Sequence, residues 1–192
     1  MNVEEAIRTR RSIGKVKPDP VPRELVERML EAAVWAPNHH HTEPWKFIVM
    51  TGEGCRTLGG AYAAIAREAA SGKALSDAEL AELDHREHAK ALRAPVVIAA
   101  VCSPSGNPRA VPAEELAAVH AAVHNMLLTA HALGLGAVWR TGDPAYHPAM
   151  RAAFGLPDTD SVVGFVYVGY PDMVAPPAKR IPAADKTTWL EG

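Results

Sequence analysis

Two adjacent guanidinium groups and a hydroxyl, Arg10-Arg11-Ser12, lie near the start of the chain, just after Arg8 and Thr9. Such a set suits a phosphate dianion, because charge-assisted bidentate hydrogen bonds are stronger than neutral ones. The competing reading is a solvated basic face, which is what most arginine clusters are. A second cation pair, Lys179-Arg180, lies near the other end of the chain and could add to the same anion if the fold brings the ends together. Two further polar clusters follow, one at Asn38-His39-His40-His41-Thr42-Glu43-Pro44-Trp45 and one at Trp139-Arg140-Thr141-Gly142. Together the clusters suggest a flat, phosphate-bearing cofactor held by several loops.

A metal is the alternative chemistry. Of the consecutive His39, His40 and His41, at most two could share a centre, because neighbours in an extended segment point to opposite faces. His120, His124 and His131 are the stronger candidate, since they fall on one helical face and i,i+4 is a zinc-compatible spacing. No HExxH and no nearby cysteine support it, and a polar seam or an interface explains the same pattern, so no metal is expected. Gly134-Leu135-Gly136 does not complete G-x-G-x-x-G and precedes an apolar run instead of following one. A Rossmann crevice is therefore unsupported. Neither a P-loop nor a Gly-x-Ser-x-Gly elbow occurs.

The elements that must position these clusters can be read from periodicity. Residues 2–9 form a short helix, and Pro18, Pro20 and Pro22 make a rigid connector. From 23 to 35, Leu25, Val26, Met29, Leu30, Ala33 and Val34 recur at helical spacing, and Pro37 closes that helix. Residues 47–50 read as a buried strand. Residues 56–70 are helical, and Ser76-Asp77-Ala78-Glu79 is a capping-box signature for a helix to about Leu92. Residues 95–102 read as a fully buried strand and 103–112 as a loop. Residues 113–133 form a long helix that is apolar over most of its surface, which favours burial on several sides and a dimer interface. A short strand at 136–139, a short helix at 148–154 and a strand at 162–168 complete the body. From Pro171 the tail is rich in proline and charge yet ends in Trp189 and Leu190, and so reads as an extended arm that packs on something, such as a partner subunit.

The 192 residues fit a single domain, 1–192, with 20 Lys and Arg against 22 Asp and Glu. A net charge of −2 argues against nucleic acid and against an acidic disordered tail. The longest apolar run, 94–102, contains Pro95 and is too short to span a bilayer. The N-terminal region has no apolar h-region, so no signal peptide is expected. Cys55 and Cys102 alone make no disulfide framework, which points to a reducing, cytoplasmic setting.

The clusters, in this order, resemble the FMN-dependent nitroreductase family, and most closely its small bacterial branch. The resemblance is carried by Arg10-Arg11-Ser12, by Ala36-Pro37-Asn38-His39 with Glu43-Pro44-Trp45, by the run from Gly136 to Gly142, and by the run from Val163 to Pro171. It implies an α+β sandwich with a central, mainly antiparallel sheet flanked by helices, and a homodimer whose C-terminal arm reaches the partner subunit. FMN would lie in the subunit interface, with Arg10, Arg11 and Ser12 on its phosphate and ribityl chain and Arg180, with Lys179, completing the anion site. His39, His41 and Glu43 would meet the flavin from the partner. Trp139, Arg140 and Thr141 would run along the isoalloxazine edge, and a backbone N–H of Thr141 or Gly142 would reach its N5.

The implied activity is ping-pong transfer of reducing equivalents from NADPH or NADH to nitroaromatics, quinones or activated alkenes, with no side chain named as an acid or base. A same-fold flavoprotein with another reaction, such as dehalogenation or flavin fragmentation, and a non-catalytic FMN-binding protein are the alternatives. Glu43 departs from the glutamine common in the family, and a carboxylate there should disfavour negative charge on the reduced ring.

Overall fold

The computed structural model describes residues 1–192. Its centre is a four-stranded, wholly antiparallel sheet in the order β1-β2-β4-β3, formed by β1 (Trp45–Thr51), β2 (Val96–Cys102), β3 (Gly136–Arg140) and β4 (Ser161–Gly169). β2 and β4 are the inner strands. Every residue of β2 is buried, which is why it reads as an unbroken apolar run and not as an alternation.

Each face of the sheet carries its own core. Helices α2 (Arg23–Val34) and α5 (Pro112–Ala132) cover one face, where Met29, Met126 and Val123 meet Ile98, Val166 and Val168. On the other face, α3 (Cys55–Ala69), α4 (Asp77–Ala91) and α7 (Pro148–Ala153) bring Leu58, Ala91 and Met150 against Val97, Val101, Phe165 and Tyr167. The architecture is the expected α+β sandwich. The α4 start is the capping box anticipated from Ser76 and Glu79, with both reciprocal bonds made.

α5 explains its own composition. Pro112 opens it and Glu114 and Glu115 occupy its first turn. Its buried stripe, including Val119, Ala122, Val123 and Met126, faces the sheet and α2, so much of its apolar surface is satisfied within the chain. Four short elements were not anticipated: α6 (Asp143–Tyr146) and 3₁₀ turns at His39–His41, Gly52–Gly54 and Ala183–Lys186.

Three features position the site. A short helix α1 (Val3–Thr9), capped by the Asn2 side chain, ends at Arg10. The chain then runs beside β3, with Ile13 N–H donating to Ala137 C=O at 3.0 Å and Lys17 N–H to Tyr170 C=O at 2.8 Å. Gly136 permits the approach, since a Cβ there would lie 2.7 Å from an Ile13 methyl. Gly164, at the bulge where the β2–β4 register shifts, makes room for Trp139, whose Nε1 would be 2.4 Å from a Cβ at that position. Finally, the arm beyond Pro171 is exposed throughout, Trp189 at 79 % and Leu190 at 95 %.

Candidate functional site

The cations of the two chain ends meet. The Arg10 guanidinium is half-buried, and its pKa is lowered by that burial and then by the charges of Arg11 and Arg180. None of Arg8, Arg10, Arg11, Lys179 or Arg180 takes part in an ion pair. Like charges gathered without a carboxylate repel one another, and an anion is the ligand that relieves this. A cavity of about 250 Å³ opens here, lined by Arg10, Arg11, Ile13, His131, Gly134 and Leu135 among others.

The arginines divide the work. Arg11 is committed to backbone carbonyls: Nε donates to Pro176 at 3.1 Å, and Nη1 to Arg8 at 2.8 Å and Arg10 at 2.7 Å. It straps the arm to the end of α1, with help from the Lys15–Asp172 pair at 2.8 Å. The Arg10 guanidinium has no hydrogen-bond partner within the chain, and that of Arg180 bonds only to the Lys179 carbonyl. Thr9 Oγ1 donates to Glu5 C=O at 2.6 Å and lies 2.7 Å from His131 Nε2, which accordingly supplies the hydrogen of that second bond. Ser12, exposed, pairs through its backbone with Ala137.

The end of β3 supplies a second group. Successive residues leave a strand on opposite faces. Trp139 accordingly packs with the α2/α5 core, its ring 5.5 Å from that of His120, whereas Arg140 turns to the α3/α4 side. There its Cζ lies 5.5 Å above the Tyr167 ring. Trp139 Nε1 and Arg140 Nε are both buried without a hydrogen-bond partner. The Tyr167 and Tyr62 hydroxyls are 3.4 Å apart. Burial pushes the Tyr62 phenol up, and burial followed by the neighbouring Tyr62 pushes Tyr167 up further, so both remain neutral. Beyond the strand, Gly142 has φ 109° with open space where a Cβ would be, and the N–H groups of Thr141 and Gly142 find no partner in the chain.

The histidine loop is a third region. His40, His41 and Glu43 all have left-handed backbones, at φ 57°, 52° and 44°. Each costs about 1–2 kcal/mol relative to right-handed geometry, so surrounding contacts must impose them. His39 Nδ1 lies 2.7 Å from Glu114 Oε2 and its ring stacks on His40 at 4.0 Å. The Asn38 side chain accepts from the Glu43 N–H at 3.0 Å. Below the loop, Glu115 is buried. Burial alone would raise its pKa, but hydrogen bonds from Ser105 and Thr42 hold it below the usual carboxylate range.

The structure joins Arg10, Arg11 and Arg180 in one place and sets Ser12 and Arg140 along the same edge. It does not bring His39, His41 and Glu43 to them. The loop is tied to Glu114 at the start of α5, while the arginine cluster borders His131 at its end. The intervening helix is about 25 Å long at 1.5 Å per residue. His120, His124 and His131 gather no metal site, for no group of three or more His, Cys, Asp or Glu side chains is arranged to hold an ion. The largest cavity, about 810 Å³ between Pro18, Val21, Leu30 and Val49, contains none of the candidate residues. The partners that sequence reading missed are Glu114, Tyr62 and Tyr167. The last two lie in an alanine-rich helix and an apolar strand, where nothing marks them as neighbours.

Comparison with known proteins gives consistent results. Residues 7–170 match the profile of the nitroreductase family. A Bacillus subtilis protein provisionally named as an NAD(P)H nitroreductase, YfhC, is 34% identical over 186 residues, covering 96% of this chain and 92% of its own. A solved nitroreductase-like family protein from Bacillus cereus superposes with a TM-score of 0.83 at 30% identity, over 100% of this chain and 97% of the other. A Desulfovibrio desulfuricans protein solved in complex with FMN superposes at 0.75 with 28% identity, over 100% and 98% of the two chains.

Proposed function

The chain belongs to the nitroreductase family of oxidoreductases, and from that premise we propose that it binds FMN and carries electrons from NADPH or NADH to small electron-poor acceptors. Nitroaromatics, quinones and activated alkenes are the acceptor class. One observation carries the reading: Arg10 and Arg180, from opposite ends of the chain, converge without any acidic partner beside a small cavity. The donor set fits the cofactor. Guanidinium forks suit its phosphate, and the unpartnered N–H groups of Thr141 and Gly142 suit an acceptor on the ring.

The active unit is a homodimer. In one chain the histidine loop and the arginine cluster sit at opposite ends of α5. A two-fold axis across α5 sets the start of one helix against the end of the other, and so brings the partner's loop to the cations. The outward face of α5 offers Leu116, 37 % exposed, beside His120 and His124, and Trp35 and Val34 at the end of α2 extend that surface. Trp189 and Leu190, bare in a single chain, would be covered by the second copy. No helix of the chain is long and apolar enough to cross a membrane, and a cytoplasmic enzyme is the reading we adopt.

Within this site Arg10 and Arg180, with Lys179, hold the anionic end of the cofactor, Ser12 adds a hydroxyl, and Arg11 keeps the arm in place. FMN, when bound, supplies the hydride and electron chemistry. The chain's residues fix its orientation and set the local charge. His39 and His41 from the partner restrict the acceptor space. Glu43 on the same loop opposes the accumulation of negative charge.

The purified protein should show flavin absorbance after incubation with FMN, and NADPH or NADH should bleach it in the absence of oxygen. A colourless preparation that takes up no FMN, or a bound flavin that neither nucleotide reduces, defeats the reading. Sedimentation should give twice the chain mass.

A further inference from the structure

The last turn of α5 contributes a residue to the cation cavity that no role above absorbs. His131 lines that cavity together with Thr9, Arg10 and Arg11. Two short bonds in series fix its tautomer. The single hydroxyl hydrogen of Thr9 goes to the Glu5 carbonyl at 2.6 Å. The 2.7 Å bond between Thr9 Oγ1 and His131 Nε2 therefore uses a hydrogen of the ring. In the neutral ring Nδ1 then carries only a lone pair, and the bond to Thr9 is the only one the ring makes.

That arrangement opposes an anion as it stands. A bare nitrogen lone pair repels negative charge, and so does the carbonyl end of a helix, which carries about half a negative elementary charge. A proton on Nδ1 reverses the first effect and offsets the second, since a cation is favourably placed in the last turn of a helix. With the cavity empty, the surrounding charges resist that proton. Arg10 and Arg11 line the same space, and Arg180 is close enough to act on Arg10. No carboxylate offsets them. His131 belongs to no ion pair, whereas His39 and His147 each face a glutamate. Glu4, Glu5 and Arg8 of α1 are exposed, and none lines the cavity. The lining from β3, the turn after α5 and the arm is without charge. α2 packs on α5 but adds no residue to the cavity, and His124 lies two turns back along α5, about 10 Å away.

Resting on the FMN reading above, we propose that His131 is a further cofactor-binding residue, which takes up a proton when the phosphate dianion enters the cavity and so becomes a cation beside Arg10 and Arg180. The proton comes from solvent and goes to Nδ1, while Nε2 keeps its hydrogen on Thr9. No covalent bond to the phosphate forms or breaks. Cofactor binding is thereby linked to pH. By reciprocity, the anion favours the charged ring to the same degree that the charged ring favours the anion. The arginines bind at any pH, and His131 adds a contribution that only a protonated ring can make.

The test is calorimetric titration of the full chain with FMN in buffers of different ionisation enthalpy, which counts the protons exchanged for each FMN bound. His131→Gln keeps an N–H for Thr9 but cannot take a charge. The wild type should take up more protons per FMN than this variant, by a fraction approaching one. At the acid end of the range it should also bind FMN about tenfold more tightly, as a hydrogen bond to a charged group does. That gap should close as pH rises, because the ring is then neutral in both states. The phosphate's own ionisation is common to both proteins and cancels in the difference. His131→Lys, charged throughout, should hold FMN without the extra uptake, and it serves also if the glutamine variant does not fold. Nitrogen NMR of the wild type needs no variant: Nδ1 of His131 should change from bare to hydrogen-bearing when FMN is added. Equal proton counts in the wild type and the variants, or an Nδ1 that stays bare in the complex, overturn the proposal while leaving FMN binding intact. A wild-type protein that takes up no FMN overturns both readings.

Discussion

The inner strands β2 and β4 and the rim that surrounds the candidate site obey opposite rules. In β2 every residue is buried, and the only irregularity of the ladder is the bulge opposite Gly164. Along the rim, three non-glycine residues of the 38–43 loop are left-handed. Three like charges from Arg10, Arg11 and Arg180 gather without a carboxylate, and two buried N–H groups, Trp139 Nε1 and Arg140 Nε, lack partners. Local consistency across levels is what makes a sequence specify a fold, and departures from it concentrate where a ligand completes the arrangement. Stability and function should therefore respond to separate sets of substitutions.

The largest effect should come from the inner strands. Phe165 is 1 % exposed and contacts both Tyr62 and Phe154. Phe165→Ala should cost about 3–5 kcal/mol of folding stability, read by urea denaturation. A loss below about 1 kcal/mol would mean that the rim, not the sheet, holds the chain together.

The same contrast decides what could be read in advance. β2 and β4 were evident because strands buried on both faces are uniformly apolar, and α5 because a long run is apolar over most of its surface, although Pro112, read as the end of the loop, in fact opens the helix. The capping box at Ser76 carries its own local signature. The arginine cluster was visible as a residue type, but Arg11's ties to the Arg8, Arg10 and Pro176 carbonyls were not, since they depend on the arm returning to α1. That Trp139 and Arg140 part to opposite faces follows from strand alternation. Their neighbours, Gly164 and Tyr167, come from a strand more than twenty residues away, and no spacing encodes that meeting. The 39–41 turn was missed for a related reason: its left-handed residues, His40 and His41, lie between His39, anchored on Glu114, and Glu43, whose N–H donates to Asn38, whereas sequence signals such a conformation mainly through glycine.

Next in size is an effect that stability measurements should not see. Arg10→Ala should weaken FMN binding by about 1.5–3 kcal/mol, the range for hydrogen bonds to charged groups. Fluorescence titration with free FMN measures this. Because Arg10 repels Arg11 and Arg180, the cofactor-free variant should melt no lower than the wild type. A matched loss of stability would assign Arg10 to the scaffold.

A smaller, pH-dependent effect lies where the two regions join. The Glu115 pKa is lowered in the folded protein by its bonds from Ser105 and Thr42. Its contribution is therefore complete above its unfolded value of about 4.3 and is lost as pH falls through the lower folded value. Glu115→Gln, which keeps an acceptor but exchanges charged for neutral hydrogen bonds, should cost about 1 kcal/mol at pH 7. The cost should shrink as pH falls below that unfolded value of about 4.3, as followed by denaturant melts across the acid range. A cost that stays constant with pH would show that the carboxylate charge contributes nothing there.

The smallest effect tests whether the loop is strained at all. His40 has φ 57°, a geometry that costs a residue with a Cβ about 1–2 kcal/mol and costs glycine almost nothing. Glycine, however, loses more freedom on folding, by roughly 0.5–1 kcal/mol, and His40→Gly also removes the stack on His39. The terms nearly cancel, so that variant should change stability by less than about 0.5 kcal/mol, a range typical of surface substitutions. His40→Val, whose branched side chain fits this backbone worst, should instead destabilise by about 1–2 kcal/mol. If valine and glycine prove equally neutral by thermal melting, the loop has relaxed out of the left-handed region, and the contrast between an unstrained sheet and a strained rim fails at this point.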